Sequence, residues 1–471
     1  MSPVRGLHWF RNDLRLRDNT TLLALADRVD EWLPVFIFDP DFLGDDPDLP
    51  RVRFLKDCVS RLRDDLDSRG VSLCIREGDP AEVLARLVEE TRSEIVSFGE
   101  ADTPLARRRD EAVGAAIKKV GARALVIRDH TVFGPDEIRT KQDGVYSVYT
   151  PYKNAWWTRW FEAPRHAAKR VRLPATPLEL KSDNQEIALL SSTSSTSKVG
   201  LPAGGETAAA RRLKSFLTDS VSGYEVSRDF PDVDGTSRLS PYLRFGVISP
   251  RRCFDEALAL GEAQPAAMGG VRKWLDELVW REFYAMVLAN SPRVLTQNFR
   301  REYDQLEWSG SDAEFEAWRL GKTGYPIVDA GMRQLAQTGW MHNRVRMIVA
   351  SFLTKDLLID WRRGARHFFD LLVDGDPASN SGGWQWAAST GTDSQPYFRI
   401  FNPTLQGQKW DPEGIYVRRF IPELRGVETR FIHMPWKAKE PPIDYPSPIV
   451  DHSIQRERAL DAYRSARAKS G

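Results

Sequence analysis

Cysteine is scarce in this sequence, and long apolar runs are absent. The 471 residues include three cysteines, Cys58, Cys74 and Cys253, whose scattered positions and odd number predict neither a disulfide framework nor a metal-binding spacing. The amino terminus lacks an apolar signal core, and no apolar run approaches the ~18 residues of a membrane span. We therefore expect a cytoplasmic protein with no bound metal and no membrane partner.

Familiar catalytic motifs are missing as well. No Gly-x-Gly-x-x-Gly segment follows the first predicted strand, and the chain has no P-loop and no nucleophile elbow. The net charge of +1 does not by itself indicate a nucleic-acid partner, although a local basic face would be hidden in that sum. If the protein is an enzyme, a cofactor is expected to carry the difficult step.

Tryptophan, in contrast, is abundant. The chain has 15 tryptophans, and several fall between residues 340 and 402 among arginines, acidic residues and glycines. A packed core favours Leu, Ile and Val and accepts Trp where its N–H finds a partner. This stretch therefore predicts a large planar ligand bound among helices, near a surface that meets an anionic partner.

The amino-terminal part alternates short apolar runs with helical patterns. Strands are predicted at Val4–Phe10, Leu33–Phe38, Val71–Arg76, Glu94–Phe98 and Ala124–Arg128, and helices near 20–30, 51–69, 80–91 and 104–120. This alternation predicts an α/β fold with a parallel five-stranded, Rossmann-like sheet covered on both faces. Polar residues at the strand ends, among them Asp39 and Glu100, either bind a ligand or are ordinary turn and cap residues.

The rest of the chain is predicted to be helical. We assign residues 1–132 to the α/β domain, 133–206 to a connector, and 207–471 to an all-α domain. The connector begins with aromatic residues that are expected to pack, and its polar part from Lys181 to Glu206 predicts a surface linker. Helices are predicted at 207–219, 251–260, 270–290, 312–320, 326–338, 344–357 and 364–373.

A loop of small polar residues precedes a predicted helix at Pro241. It runs from Asp234 through Gly235 and Thr236 to Ser240. Backbone N–H groups at a helix start suit a phosphate, and Arg238 adds a cation. Capping of the helix by Ser240 is the alternative.

One predicted helix carries Glu277, Trp280, Arg281 and Tyr284 at spacings that bring them to one face. This face offers a carboxylate, an aromatic plate and a cation, which suit a nucleobase. The alternative is an amphipathic helix with an ordinary Glu–Arg pair.

Other candidate residues lie far apart in the sequence. Arg346 and Asp374 are able to pair across helices, either beside the edge of a heteroaromatic ring or as a structural ion pair. The tryptophans Trp308, Trp361 and Trp384 are either core residues or relays for an electron, because an indole can be oxidised.

Taken in order, these pieces resemble the photolyase/cryptochrome family over nearly the whole chain, and within it the class I-like cyclobutane pyrimidine dimer (CPD) photolyases. The resemblance rests on residues 9–19, 235–240, 274–283, 321–330, 340–347 and 374–386. It implies an α/β antenna domain followed by an all-α FAD-binding catalytic domain that holds a folded-over FAD.

The resemblance assigns cofactor-binding roles residue by residue. The implied FAD-binding set is Tyr224, Thr236, Ser237, Arg238, Leu239, Ser240, Trp274, Arg281, Arg346, Asp374, Gly375, Asp376 and Asn380. Within it, Arg346 and Asp374 form a salt bridge beside the flavin, and Asn380 lies near flavin N5. From the flavin outward, Trp384, Trp361 and Trp308 match the chain that photoreduces FAD.

The resemblance also implies which residues face the DNA. The matching positions are Arg228, Glu277, Trp280, Arg281, Tyr284, Asn343, Arg344, Met347, Trp386, Arg399 and Gln406. Glu277, Asn380 and Met347 are implied to take part in repair with the three tryptophans. The 6-4 photolyases carry histidines where Asn343 and Met347 stand, and plant-type cryptochromes carry Asp and Val there, so this chain follows the CPD pattern.

The activity that the resemblance implies is light-driven repair of DNA containing pyrimidine dimers by a monomer. Excited reduced FAD donates an electron to a flipped-out dimer, the dimer splits, and the electron returns. The alternatives are a blue-light receptor without repair activity and a 6-4 photolyase. A second antenna chromophore (folate, deazaflavin or flavin) is also possible, although Leu105 and Ala106 depart from the folate-type pattern.

Overall fold

The computed structural model describes residues 2–43, 46, 48–168, 173, 176–180, 182, 190 and 200–470. It contains a β-sheet region followed by a region built of helices. The serine-rich stretch 191–197 of the linker predicted from the sequence lies outside the described residues, as does most of 183–199. No helix in the described part of the chain is long and apolar enough to cross a membrane.

Five parallel strands form the sheet. They are β1 (Arg5–Phe10), β2 (Glu31–Phe38), β3 (Cys74–Glu77), β4 (Ile95–Gly99) and β5 (Arg123–Ile127), in the order β3-β2-β1-β4-β5. A further two-residue strand, Thr176–Pro177, pairs with β2. The predicted parallel sheet is confirmed. β3 begins later than Val71, because its pairing with β2 starts at Cys74.

Helices flank the strands of this sheet. They are α1 (Thr20–Ala26), α2 (Pro40–Leu43), α3 (Pro50–Asp67), α4 (Pro80–Thr91) and α5 (Pro104–Lys119). Side chains cap three of them, since Asn19, Asp79 and Thr103 accept hydrogen bonds from N–H groups of the first turn. Four of these helices agree with the sequence-based prediction, whereas the four-residue α2 is too short to show a helical period in the sequence.

The remaining helices form the second region. They are α6 (Tyr149–Glu162), α7 (Glu206–Asp219), α8 (Tyr224–Ser227), α9 (Ser240–Arg244), α10 (Pro250–Ala263), α11 (Met268–Asn290), α12 (Asp312–Arg319), α13 (Pro326–Thr338), α14 (Asn343–Ser351), α15 (Trp361–Leu371), α16 (Pro377–Ala387), α17 (Pro403–Trp410), α18 (Ile415–Phe420) and α19 (His452–Ser470). The helix predicted at 344–357 ends as α14 at Ser351 and continues as a π-helix, Phe352–Asp356.

Buried ion pairs join the two regions. Arg251, at the start of α10, contacts the carboxylates of Asp18 at 2.9 Å and Asp129 at 2.7 Å, and Arg15 also pairs with Asp129. These charges compensate one another in a site that water does not reach. The aromatic start of the connector packs as expected, because Trp156 is fully buried and donates its N–H to Glu282 at 2.7 Å.

Candidate functional site

An ion pair joins α14 to the segment that precedes α16. Arg346 donates to both carboxylate oxygens of Asp374, at 2.9 and 3.2 Å, and the Ser240 hydroxyl donates to the same carboxylate at 2.6 Å. The Asp374 side chain is only 3% exposed, whereas that of Arg346 is 25% exposed. The Arg346 guanidinium therefore keeps an accessible edge, and its hydrogen bonds to the buried Asp374 carboxylate fix its position.

The loop before Ser240 differs from one of the two sequence-based interpretations. Ser240 is the first residue of α9 and not its cap, because the N-cap position belongs to Leu239 and has no side-chain hydrogen bond. The Ser240 hydroxyl is committed to Asp374 instead. Arg238 has a left-handed backbone (φ 49°), and its guanidinium lies 4.9 Å from the centre of the Trp340 ring. Capping by Ser240 is therefore wrong, whereas the anion site suggested by this loop stays a prediction.

Asp376 and Asn380 belong to α16, a helix absent from the sequence-based prediction. Asp376 caps it by accepting from the Ser379 N–H at 2.8 Å, and Asn380 donates to the Ala365 carbonyl at 2.9 Å. Burial alone would raise the pKa of the Asp376 carboxyl, but the positive charges of Arg244 and Arg281 outweigh it and hold this pKa below its ordinary value. Asp376 is therefore an anion at neutral pH.

Four further members of the predicted cofactor set have defined contacts. Tyr224 and Trp274 are buried, and both rings contact Phe216. The Gly375 carbonyl accepts from the Arg244 guanidinium at 2.9 Å. Arg281 donates to the carbonyl of His130 at 2.6 Å and to that of Leu243 at 3.3 Å, so its charge lies between the two regions of the molecule.

The three predicted relay tryptophans all lie in or against one hydrophobic core. Trp384 and Trp361 are 2% and 1% exposed, and Trp308 is partly buried. Trp361 donates its N–H to Asn298 at 2.9 Å. A side chain at Gly364 would place its Cβ 2.1 Å from the Trp384 ring, so glycine is required for α15 to approach that ring.

Glu277 and Trp280 on α11 have partners that their spacing did not predict. Glu277 pairs with Arg228 of the neighbouring α8 region rather than with Arg281. Trp280 is half-buried and stacks on Tyr149, with ring centres 3.6 Å apart and planes 11° apart. Tyr284 lies beside it at 5.5 Å, and a Cβ at Gly382 would come within 2.2 Å of the Tyr284 ring. The alternative interpretation, an ordinary Glu277–Arg281 pair, is therefore not what the structure shows, because Glu277 pairs with Arg228.

The other predicted DNA contacts lie near the surface. Asn343 is exposed and donates to the Met347 sulfur at 3.9 Å, while Trp386 is half-buried. Arg344 donates to Asp229 at 2.6 Å and lies over the Trp410 ring at 4.5 Å. Arg399 is exposed, and the side-chain amide oxygen of Gln406 accepts from the Trp410 indole N–H at 3.1 Å.

A cavity of about 490 Å³ lies at the carboxyl ends of the strands. Its walls include Trp9, Asp39 and Glu100 at strand ends, Arg109 from α5, and Arg281 and Asp376 from the helical region. This is the size of a ligand pocket, and Arg109 pairs with Asp39 at 3.0 Å inside it. The polar strand ends singled out from the sequence thus do meet at one pocket.

Two family models match the chain. The model for the FAD binding domain of DNA photolyase covers residues 274–465, and the DNA photolyase model covers residues 6–171. The chain belongs to the DNA photolyase family. A deoxyribodipyrimidine photo-lyase of Escherichia coli (strain K12) is 41% identical to it over 475 residues, which cover 98% of each chain.

Solved structures of photolyases share its fold. A bacterial class III photolyase from Agrobacterium tumefaciens superposes with a TM-score of 0.91 at 37% identity and covers 99% of this chain and 98% of its own. An archaeal photolyase from Sulfolobus tokodaii, solved with two FAD molecules, gives a TM-score of 0.83 at 32% identity over 98% of this chain and 100% of that one. The predicted fold class and family are confirmed.

Several residues that contact the candidate site residues were missed from the sequence. Phe368 meets the Trp384 ring edge-on at 4.9 Å, and the buried Trp318 lies 6.1 Å from the same ring. Asn298 holds the Trp361 N–H, and Tyr149 covers Trp280. No spacing signal marks these residues, because each reaches its partner from a distant part of the chain.

The Arg346–Asp374 pair supplies a first test. Asp374→Asn removes the charge that fixes Arg346, and we expect the free energy of unfolding to fall by about 1–3 kcal/mol, together with a loss of bound FAD. Thermal unfolding and the flavin-to-protein absorbance ratio measure both effects. The control is Asp370→Asn, whose partner Arg366 is 85% exposed, and it should change stability by no more than about 0.5 kcal/mol. Equal losses of stability and of bound FAD in the two variants would contradict the role of Asp374 in fixing Arg346.

Proposed function

We propose that this chain is a light-driven repair enzyme that splits cyclobutane pyrimidine dimers in DNA, with FAD as its cofactor. One observation carries the proposal. The nine-residue helix α14 holds Arg346, which pairs with Asp374 in the FAD-binding domain, and also Asn343 and Met347, which match dimer-facing positions. A single helix thus brings the cofactor site and the lesion site within one turn of each other.

The residues present suit FAD. Arg238 offers a partly exposed cation to phosphates, while Arg346 keeps an accessible guanidinium edge for a heteroaromatic ring. The Nε1 atom of Trp384 is buried and has no hydrogen-bond partner among the described residues, so a polar group of a ligand would satisfy it. When bound in its reduced form, FAD supplies the light-excited electron that opens the dimer.

The chain's own residues bind and orient the lesion in this proposal. Trp280 and Trp386 stack on the dimer, which is flipped out of the duplex at a low cost because it is poorly stacked. Glu277 accepts hydrogen bonds from the pyrimidine N–H groups, and its ion pair with Arg228 fixes the position of its carboxylate. Arg344 and Arg399 contact phosphates, so the affinity for DNA should fall as salt rises.

We also infer that the cavity at the strand ends holds a second chromophore. Its volume suits a flavin, a deazaflavin or a folate, and its wall carries an aromatic ring at Trp9 and charged groups at Asp39 and Arg109. The absence of the folate-type residues at Leu105 and Ala106 favours a flavin or deazaflavin.

The second-chromophore proposal predicts a measurable stoichiometry. Protein saturated with FAD should take up about one further molecule of FMN or of a deazaflavin, seen as quenching of the added chromophore's fluorescence. Arg109→Ala with Asp39→Ala should weaken this uptake while FAD stays bound in the helical region. Uptake that the double variant leaves unchanged would contradict the location, and saturation by a folate alone would contradict the chemical class.

Comparing the repair of a thymine dimer with that of a 6-4 photoproduct tests the proposed function. We expect the reduced, illuminated protein to convert an oligonucleotide containing a thymine dimer into unmodified DNA, and to leave a 6-4 photoproduct unchanged. Asn343 and Met347 offer no imidazole for the proton transfer that the 6-4 lesion needs. Reversal of the 6-4 photoproduct at a comparable rate would reject the CPD assignment.

We further propose that one copy of the chain acts alone in the cytosol. All of the residues proposed to hold FAD and the dimer come from a single chain, so a second copy is not needed to complete the site. All three cysteines are buried, and their small, odd number suits a reducing compartment.

A further inference from the structure

Tyr149 is held rigidly against Trp280. Its ring is 6% exposed and lies flat on the indole, 3.6 Å away between ring centres. Its hydroxyl donates to the backbone carbonyl of Asp276 at 2.6 Å. Asp276 and Trp280 lie one turn apart on α11, so the same helix fixes the phenol at its hydroxyl end and at its face.

The rest of α6 strengthens this attachment. Tyr149, Lys153 and Trp157 follow one another at four-residue intervals and therefore share one face of the helix. Lys153 contacts the Asp276 carboxylate at 3.2 Å, and the Trp157 N–H donates to it at 2.9 Å. Three residues of α6 thus converge on the turn of α11 that precedes Trp280.

The segment before α6 also contacts the loop that follows Trp386. The Ser147 carbonyl accepts from the Thr392 hydroxyl at 2.5 Å and from the Asp393 N–H at 3.2 Å. Residues 147–149 therefore contact the helix that carries Trp280 and the loop that follows the helix of Trp386.

We propose that Tyr149 is a positioning residue for the pyrimidine dimer: it covers one face of the Trp280 indole and fixes the plane in which the other face receives the lesion. This inference rests on the proposed function. A half-buried side chain without such a support loses rotational freedom when a ligand binds, and that loss reduces affinity. Because Tyr149 already covers the Trp280 ring in the folded protein, the rotational entropy of Trp280 is lost during folding and not when the dimer binds. Tyr149 does not need to touch the dimer itself.

The test is the substitution Tyr149→Leu, which removes the flat ring. The affinity for a duplex with one thymine dimer should fall about 3- to 10-fold, as expected for a lost aromatic pair. The affinity for undamaged DNA, the bound FAD and the repair yield per photon of saturated complexes should stay unchanged. Tyr149→Phe keeps the ring and should restore binding close to that of the unmodified chain. Tyr146→Leu, a change of the same kind three residues earlier, should have no effect.

Several outcomes would overturn the inference. Dimer affinity in Tyr149→Leu equal to that of the unmodified chain would do so, and so would an equal loss for damaged and undamaged DNA, which indicates a general structural defect. A Phe variant as weak as the Leu variant would assign the effect to the hydroxyl. If Tyr149→Leu fails to fold, Tyr149→Met, which fills similar space without a ring, and the Phe variant decide the matter. Failure of the unmodified chain to bind the dimer would instead reject the proposed function, and this inference with it.

Discussion

Replacing Trp384 by Phe should abolish the photoreduction of oxidised FAD while leaving the amount of bound FAD unchanged. Among the three predicted relays, Trp384 follows Asn380, the proposed neighbour of the flavin, by one turn of α16. Phenylalanine keeps the ring in the packed space between Gly364 and Phe368, but it is much harder to oxidise than an indole. The first electron transfer to the excited flavin would therefore lose its donor.

This experiment compares absorbance spectra during blue illumination with an external reductant present. The unmodified chain should lose the absorption bands of oxidised flavin within the illumination period, whereas the Trp384→Phe spectrum should stay constant. Trp436→Phe removes a partly buried indole that packs against the same core and is expected to photoreduce normally. Normal photoreduction in Trp384→Phe would reject the assignment of this relay.

The second large effect is expected from Glu277→Ala combined with Trp280→Ala. Stacking of a base on an aromatic ring contributes about 1–3 kcal/mol, and a hydrogen bond to a charged group contributes about 1.5–3 kcal/mol. Because the two side chains are neighbours, their effects will not add strictly. We expect the affinity for dimer-containing DNA to fall by at least about 100-fold.

Binding to undamaged DNA and to FAD provides the internal control. The double variant should retain FAD, because Glu277 and Trp280 are absent from the set proposed to hold it. Glu262→Ala, an exposed acidic position at the end of α10, should bind the dimer as tightly as the unmodified chain. Loss of FAD from the double variant would show that this part of α11 lies against the cofactor and not the lesion.

Much of the sheet region could be predicted from sequence, since buried parallel strands give continuous apolar runs and prolines mark the starts of α3, α4 and α5. The helix α16 could not be predicted from the sequence in this way. Its middle carries Ser379, Asn380 and Ser381 followed by Gly382 and Gly383, all of low helix propensity, and the helix packs closely on Tyr284 at Gly382. Tertiary contacts of this kind leave no local pattern in the sequence.

The candidate site likewise contains one ion pair that the sequence predicts and one that it does not. The Arg346–Asp374 pair was anticipated, and the structure brings the two residues together across 28 positions of sequence. The partner of Glu277 was not, because helix periodicity places Arg281 beside it, whereas Arg281 extends its long side chain to the carbonyl groups of His130 and Leu243. Spacing along a helix indicates which Cβ atoms are close, but the ends of long side chains are determined by what surrounds them.

Reversal of the dimer by light is the most direct test of the proposed repair activity. Reduced protein is mixed with a slight excess of an oligonucleotide carrying one thymine dimer, and the restored thymines are counted by chromatography after illumination with blue light and after an equal time in the dark. If the protein is a light-driven repair enzyme, the bound dimers are repaired in the light and none are repaired in the dark. A protein that holds FAD, photoreduces it and still leaves every dimer intact would contradict the account and favour a blue-light receptor.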